Sequence, residues 1–353
     1  MHWELSEEQE LFATSLREWI AAKFPTDTVR DLAAGASGSS GSFTSALVAE
    51  GWWGVGYPED RGGQGGGALE LALASREFGR AAVPNSGWLA AALAAPLLTP
   101  EELAAQISGE QRFVPAIRAD RAPAWGRFGG TVTGSVPHVL AADEADVFLV
   151  PVADGTAFAR VAATGASVAV HPDNLLDRSR STATVTFRDA AVLDTVEAAP
   201  DALARVTNLA AVLVAADALG SAERMLDLAV VYSKQRKQFG QVIGAFQAVK
   251  HAAAQMLVTV EAAYSIVLYA AAVLDANAGL DDAATIAAVA KAQVGKNAAD
   301  LADSALTVHG AIGYTWEHDL HLFYKRAKLD RTLFGAPSAW NERIATALLD
   351  PRN

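Results

Sequence analysis

Apolar and polar positions along the chain fall into three textures. Up to about residue 111 the period is helical: Ser6-Glu7-Glu8-Gln9 makes a capping signal, and Leu11, Phe12, Leu16 and Ile20 follow on one helix face. Residues 33–42 (AAGASGSSGS) interrupt this pattern and predict a flexible connection. From about 112 to 199, runs of β-branched and aromatic residues at 113–117, 130–134, 146–152 and 182–187 predict short strands separated by turn residues. From 200 to 353 long alanine-rich helical patterns return at 204–233, 246–276 and 281–309, each long enough to be an antiparallel member of a bundle. Asp281 and Asp282 stand where an N-cap is expected, and Gly310 at a natural C′ position. The pattern by itself predicts a mixed α+β chain of helical domain (1–111), small β domain (112–199) and helical bundle (200–353).

Composition narrows the function classes. The chain has 353 residues, 51% of them hydrophobic, enough for two or three packed units with cores of their own. A net charge of −12 without a compensating basic stripe argues against nucleic acid as a partner. With no cysteine there are no disulfides and no thiolate metal sites, which fits a reducing compartment. The acidic, amphipathic start MHWELSEEQELF is unlike a signal or transit peptide, and no apolar run approaches the roughly 20 residues needed to cross a bilayer. The expectation is a cytoplasmic protein with no membrane partner.

Against this acidic background, residues 232–256 (YSKQRKQFGQVIGAFQAVKHAAAQM) place Lys234, Arg236 and Lys237 at the junction of two helices, followed by Gln238-Phe239-Gly240. A guanidinium fixed at such a junction suits bidentate contact with phosphate, although a basic helix end also compensates the macrodipole. The glycine run 62–67 lacks the following Lys-Ser/Thr and the preceding strand of a phosphate loop, and reads as a turn joining helices. His309, His318 and His321, with Glu317 and Asp319, have a spacing that admits a metal site. Packing and hydrogen bonding are the preferred reading, so no metal is expected.

Tyr232, Arg236, Gln238, Phe239, Gly240, Ile243, Phe246, Gln247, Ala248, Val249, Lys250 and His251 together resemble the signature of acyl-CoA dehydrogenases. Residues 308–328 (VHGAIGYTWEHDLHLFYKRAK) and 57–81 (YPEDRGGQGGGALELALASREFGRA) resemble that family's C-terminal glycine-rich segment and N-terminal helical domain. The likeness spans nearly the whole chain and is weakest between about 110 and 200. It implies the family's layout of N-terminal helical domain, middle β domain and C-terminal four-helix bundle. It also implies FAD as cofactor and dehydrogenation across the α,β bond of a CoA thioester. By the same resemblance, Arg236 would reach a neighbouring subunit's FAD pyrophosphate, with Gln238, Phe239 and Gln247 beside it. Gly310 and Gly313 would let backbone approach the adenosine, a role that for Gly310 competes with simple helix capping.

Departures from the family pattern are concentrated at the chemistry. The family's glutamate base falls on Phe334 in an ungapped alignment, and its alternative on the first bundle helix falls on Ala210 or Ala211. None of these side chains accepts a proton. In that likeness the flavin-holding loops of the β domain correspond to 113–120 (FVPAIRAD), which shows none of the family's threonine-glutamate-proline, glycine-serine-aspartate pattern, and to His138-Val139-Leu140, where leucine replaces the expected hydroxyl residue. The resemblance therefore implies a subunit that completes the FAD site of a paralogous partner, as in actinobacterial α2β2 dehydrogenases acting on steroid side chains, with acyl-CoA mainly on the partner. Two alternatives stay open: a homomeric enzyme using another base, such as Glu223 or Glu342, and a non-catalytic scaffold of the same fold.

Overall fold

The computed structural model describes residues 5–34, 39–122, 130–276 and 279–349. Helix α1 (Glu7–Lys23) opens with Ser6, whose side chain accepts from the Gln9 N–H while the Gln9 side chain accepts from Ser6 N–H, as its sequence predicts. Leu16 and Ile20 are buried, whereas Leu11 is 67% exposed, so the expected apolar face is narrower by one position. Helices α2 (Thr26–Ala33), α3 (Ser39–Ala49), α4 (Ala68–Ala81), α5 (Ser86–Ala94) and α6 (Pro100–Ile107) complete the first segment.

The connection expected at 33–42 is shorter than its composition suggested. Residues 35–38 lie outside the described residues, but Ala33 closes α2 and 39–42 already belong to α3. Phe43 and Leu47 supply the reason: both are fully buried, and Phe43 sits edge-on to Phe24 and Phe78 at 5.0 and 5.3 Å. Burial of this apolar pair outweighs the weak helix propensity of the serines and glycine ahead of it. The glycine run does join α3 to α4. At Gly63 a Cβ would lie 2.2 Å from the Tyr57 carbonyl oxygen, so glycine is required by close backbone approach.

Among the described residues the middle segment has seven strands where the pattern marked four. β1 (Phe113–Pro115), β3 (Val147–Val152), β4 (Ala157–Ala162) and β7 (Val192–Glu197) form one sheet in that order, with only the β1–β3 pair parallel. β2 (Val132–Leu140), β6 (Thr182–Ala190) and β5 (Val168–Pro172) form an antiparallel second sheet. Of the strands missed, β5 and β7 lie largely open to solvent, so neither shows a sustained apolar alternation, and β4 (AFARVA) is half alanine with an arginine in its middle.

Helices α7 (Ala202–Gln235), α8 (Gln247–Asp275), α9 (Leu280–His309) and α10 (Leu320–Asp330) build the bundle, with α11 (Pro337–Leu349) packed on α9. The N-cap of α9 is Gly279; Asp281 and Asp282 lie within the first turn, where they complement the helix dipole instead of capping. By length and composition alone α7 and α8 could each cross a membrane, with mean hydropathies of 1.6 and 1.9. This corrects the expectation that no segment approaches that limit. The α7 window is 78% buried inside the protein, since alanine and leucine there serve neighbours on several sides. The α8 window is only 28% buried, and Leu257 and Val258 lie open on it.

A buried ionic lattice ties the three segments together. Arg326 of α10, fully buried, donates to Asp177 (2.7 Å) after β5, to Asp217 of α7 (3.1 Å) and to the Val83 carbonyl after α4 (2.9 Å). Arg180 donates to Asn85 (2.7 Å) and Asp330 (3.1 Å) and pairs with Asp217 at 3.0 Å. Burial, and then the neighbouring Asp217, hold the Asp330 carboxyl well above the usual carboxylate range. Burial acts the same way on Asp217, but Arg180 and Arg326 outweigh it and keep that carboxyl low. A protonated Asp330 leaves two guanidiniums against two carboxylates, a balanced set.

That assignment orders two variants. Asp217→Asn leaves two buried guanidiniums facing one carboxylate and is expected to cost about 3–5 kcal/mol. Asp330→Asn replaces a neutral acid by a neutral amide that still donates to Asp217, and should cost less than about 1 kcal/mol. Urea unfolding midpoints measure both, and the opposite order contradicts the placement of the proton.

Candidate functional site

The basic junction becomes a short arm at one end of the bundle. Arg236 ends α7, its N–H bonded to the Tyr232 carbonyl at 2.9 Å and its own carbonyl accepting from Ile243 N–H at 2.8 Å. Between these anchors β8 (Lys237–Gln238) and β9 (Gln241–Val242) pair as a two-residue hairpin, with Phe239 at φ 51° and Gly240 at φ 80°. Positive φ at both central positions is the turn that matches strand twist, but phenylalanine is strained there. Phe239 is nevertheless 91% exposed, its ring edge-on to Phe246 at 6.1 Å. Arg236, Gln238 and Gln247 are exposed too, and among the described residues Arg236 makes no ion pair. A strained aromatic and an unpaired guanidinium, both facing outward, suit an external ligand more than internal packing.

The glycine segment after α9 lies beside this arm. Gly310 ends α9 at φ 67° with its N–H on the Leu306 carbonyl, and a Cβ there would meet nothing within 4 Å. Capping and open access therefore coexist at this glycine. Gly313 is buried instead: a Cβ would lie 2.7 Å from Leu306 Cδ1 and 3.0 Å from Leu320 Cδ2, so its missing side chain serves packing within the chain. The ring of His309 stacks on Tyr232 at 4.6 Å and meets His318 at 4.5 Å, while His321 packs on Trp316 at 4.7 Å. Burial lowers the pKa of His309 and His318 and takes His321 down to about 4, so these imidazoles are neutral near pH 7. Among the described residues no three His, Asp or Glu side chains are grouped to hold a metal.

The two positions of the expected base are apolar and closed. Ala210 and Ala211 lie buried within α7. Phe334 is buried in a left-handed turn at φ 55°, its N–H bonded to the Ala119 carbonyl and its carbonyl accepting from Trp340 Nε1 at 3.1 Å. Ala119 in turn donates to the His138 carbonyl at 2.8 Å. A continuous backbone seam thus joins the turn after α10 to the segment that follows β1 and to the end of β2. Leu140 is buried, and Arg118 and Asp120 form a bidentate pair at 2.9 and 2.7 Å. Of the other carboxylates considered, Glu223 is clamped by Arg76 (2.7 Å) and Arg80 (3.2 Å), and Glu342 is exposed on α11.

Residues 6–101 match the family described as acyl-CoA dehydrogenase, N-terminal domain, and residues 201–349 match acyl-CoA dehydrogenase, C-terminal domain. IpdE2, an acyl-CoA dehydrogenase of Mycobacterium tuberculosis, is 32% identical over 79% of this chain and 78% of its own length. The chain belongs to the acyl-CoA dehydrogenase family. Acyl-CoA dehydrogenase FadE34 of M. tuberculosis is 37% identical over 86% of the chain, which spans 41% of that protein. The fold superposes on the ChsE4–ChsE5 complex of M. tuberculosis with a TM-score of 0.87 at 24% identity, covering 99% of each chain. A variant of the Tcur3481–Tcur3483 steroid ACAD gives 0.87 at 23% identity over 98% and 99%.

For an acyl-CoA dehydrogenase chain, the residues that sequence reasoning missed are its buried charges. Lys291 of α9 is fully buried, with Nζ on the carbonyls of Asp330 (2.9 Å), Arg331 (3.2 Å) and Gly335 (3.0 Å). It thereby holds the turn that carries Phe334. The available signal was a lone charge inside an apolar helix, as for Asp217 in LAAVLVAADALG.

Burial pulls Lys291 down to about 7. The unfolded chain then binds more protons between about pH 7 and the ordinary lysine value near 10.5, so this group makes stability rise with pH across that window. Lys291→Met should abolish that rise. It should also cost about 2–4 kcal/mol at pH 7 by leaving three carbonyls without a donor. Unfolding free energies of both proteins from pH 6.5 to 10 test this; parallel profiles would contradict it.

Proposed function

We propose that this chain is one subunit of an FAD-dependent acyl-CoA dehydrogenase, completing the flavin site of a paralogous partner and carrying no general base of its own. The outward placement of Arg236, with no ion pair among the described residues, beside the exposed Gln238, Phe239 and Gln247, carries the reading. The donor set fits the cofactor: a free guanidinium for pyrophosphate, an aromatic face, and an open glycine at 310 where backbone can be approached. Bound flavin would supply the hydride acceptor for α,β-dehydrogenation. The chain's own part is to hold phosphate charge through Arg236 and orient the nucleotide.

The proton side of the reaction belongs to the partner in this reading. Phe334 and Ala210 stand at the family's two base positions, and neither side chain can take a proton from the α-carbon. Glu223 is neutralised by two arginines, which leaves it poorly placed to act as a base. The seam from Phe334 through Ala119 to His138 is in keeping with a crevice occupied by protein instead of flavin. The open apolar side of α8 fits burial against another subunit of the same fold, in an α2β2 assembly. The ChsE4–ChsE5 and Tcur3481–Tcur3483 neighbours are both named as pairs, and the latter as a steroid ACAD, which favours a steroid side-chain CoA thioester as substrate. A chain without cysteine is in keeping with a cytoplasmic site of action.

Co-expression with a paralogous dehydrogenase subunit is the direct test. The purified pair should be yellow and reduce an artificial acceptor with acyl-CoA, while the chain alone, with FAD added, should do neither. Phe334→Glu or Ala210→Glu should leave the isolated chain inactive. Turnover by the chain alone would instead identify a homomeric enzyme, and a colourless, inactive pair a scaffold. In the pair, Arg236→Ala should weaken FAD binding by about one to two powers of ten, the worth of a charge-assisted bidentate contact. Unchanged flavin content would remove Arg236 from the site.

A further inference from the structure

We infer that His309 is a positioning residue, which sets the Arg236 arm and the Gly310 loop in the mutual register that a nucleotide cofactor bridges. The inference rests on the reading just proposed and adds to it a residue that need not touch the cofactor. Its basis is that one buried ring contacts both cofactor-facing segments. On one side the imidazole stacks on Tyr232, with 4.6 Å between centroids and 25° between planes. Tyr232 lies one helical turn before Arg236, and its carbonyl accepts the Arg236 N–H, so the ring rests on the residue that anchors the arm. On the other side His309 immediately precedes Gly310. Its Cβ lies where a Cβ on Gly313 would come within 3.2 Å, so the loop folds back directly onto His309.

The ring is itself fixed. Nδ1 lies 2.7 Å from the Ala305 carbonyl, which can only accept, so the proton sits on Nδ1. His318 closes the stack from the loop side at 4.5 Å, and its neighbour Asp319 pairs with Arg30 of α2. Two segments 74 residues apart, around 236 and 310, therefore share one aromatic pivot. The two segments are the ends of α7 and α9, which pack against each other, and the stack adds a direct aromatic contact at that end of the pair. A ligand gripped by both is sensitive to their spacing, because misplacing one of two contacts forfeits the advantage of binding them together.

The test uses the full-length chain in complex with its partner subunit, stripped of flavin and titrated with FAD by fluorescence. His309→Ala should weaken FAD binding by about three- to tenfold, the range an aromatic pair contributes, in a flavin-free complex that is less stable than wild type but still folded. His309→Phe keeps a stacking ring without the Nδ1 donor and should restore affinity to within about twofold of wild type. Tyr232→Leu removes the other half of the stack and should reproduce the alanine effect, whereas Tyr232→Phe should not. Wild-type affinity in both His309→Ala and Tyr232→Leu, with Arg236→Ala impaired, would overturn the positioning role alone. Wild-type affinity in Arg236→Ala as well would overturn the underlying reading. Should His309→Ala fail to fold, Tyr232→Leu decides by the same measurement.

Discussion

The docking of the three parts of this chain on one another depends on how the charge at Arg326 is compensated inside it. A fully buried guanidinium is tolerated only if its charge and its donors are all met. Here they are met by groups from three separate parts of the chain: Asp177 and Ser179 after β5, the carbonyls of Ala82 and Val83 after α4, and Asp217 in the middle of α7. Helical domain, β domain and bundle are thereby fixed to one another through a single side chain, reinforced by Arg180. Such a lattice contributes specificity more than stability, since a misdocked domain would leave a charge unpaired in an apolar core.

The same logic extends to the turn after α10. Lys291 meets the carbonyls of Asp330, Arg331 and Gly335, and the backbone of Phe334 is bonded on both sides, to Ala119 and to Trp340. The result is a left-handed phenylalanine held in the core, at the seam between bundle and β domain. At this seam the chain has close backbone contact and apolar side chains. Its polar and aromatic functionality is displaced to the opposite situation, an exposed arm at the end of α7.

Much of this was legible in the sequence, for identifiable reasons. The capping box at Ser6 and Gln9 and the three long helices depend on local periodicity, and they stand within a few residues of where the pattern put them. The R-x-Q-F-G arm could be located because Lys234, Arg236 and Lys237 break an acidic, alanine-rich background. Strands β4, β5 and β7 were missed because their alanine and charged residues carry little β signal of their own, and their partners supply the order. The start of α3 was misjudged because Phe43 is held by Phe24 and Phe78, which are distant in sequence.

The sequence by itself determined the α+β order, the family likeness and the absence of a carboxylate at Phe334 and Ala210, since each is a property of residue identity or local spacing. Only the tertiary structure decided which charges are buried together, which of Gly310 and Gly313 is open, and that His309 rests on Tyr232. Those facts depend on contacts between segments remote in the chain. Composition cannot tell a charge that is solvated from one that is paired in the core; only the packed neighbours do.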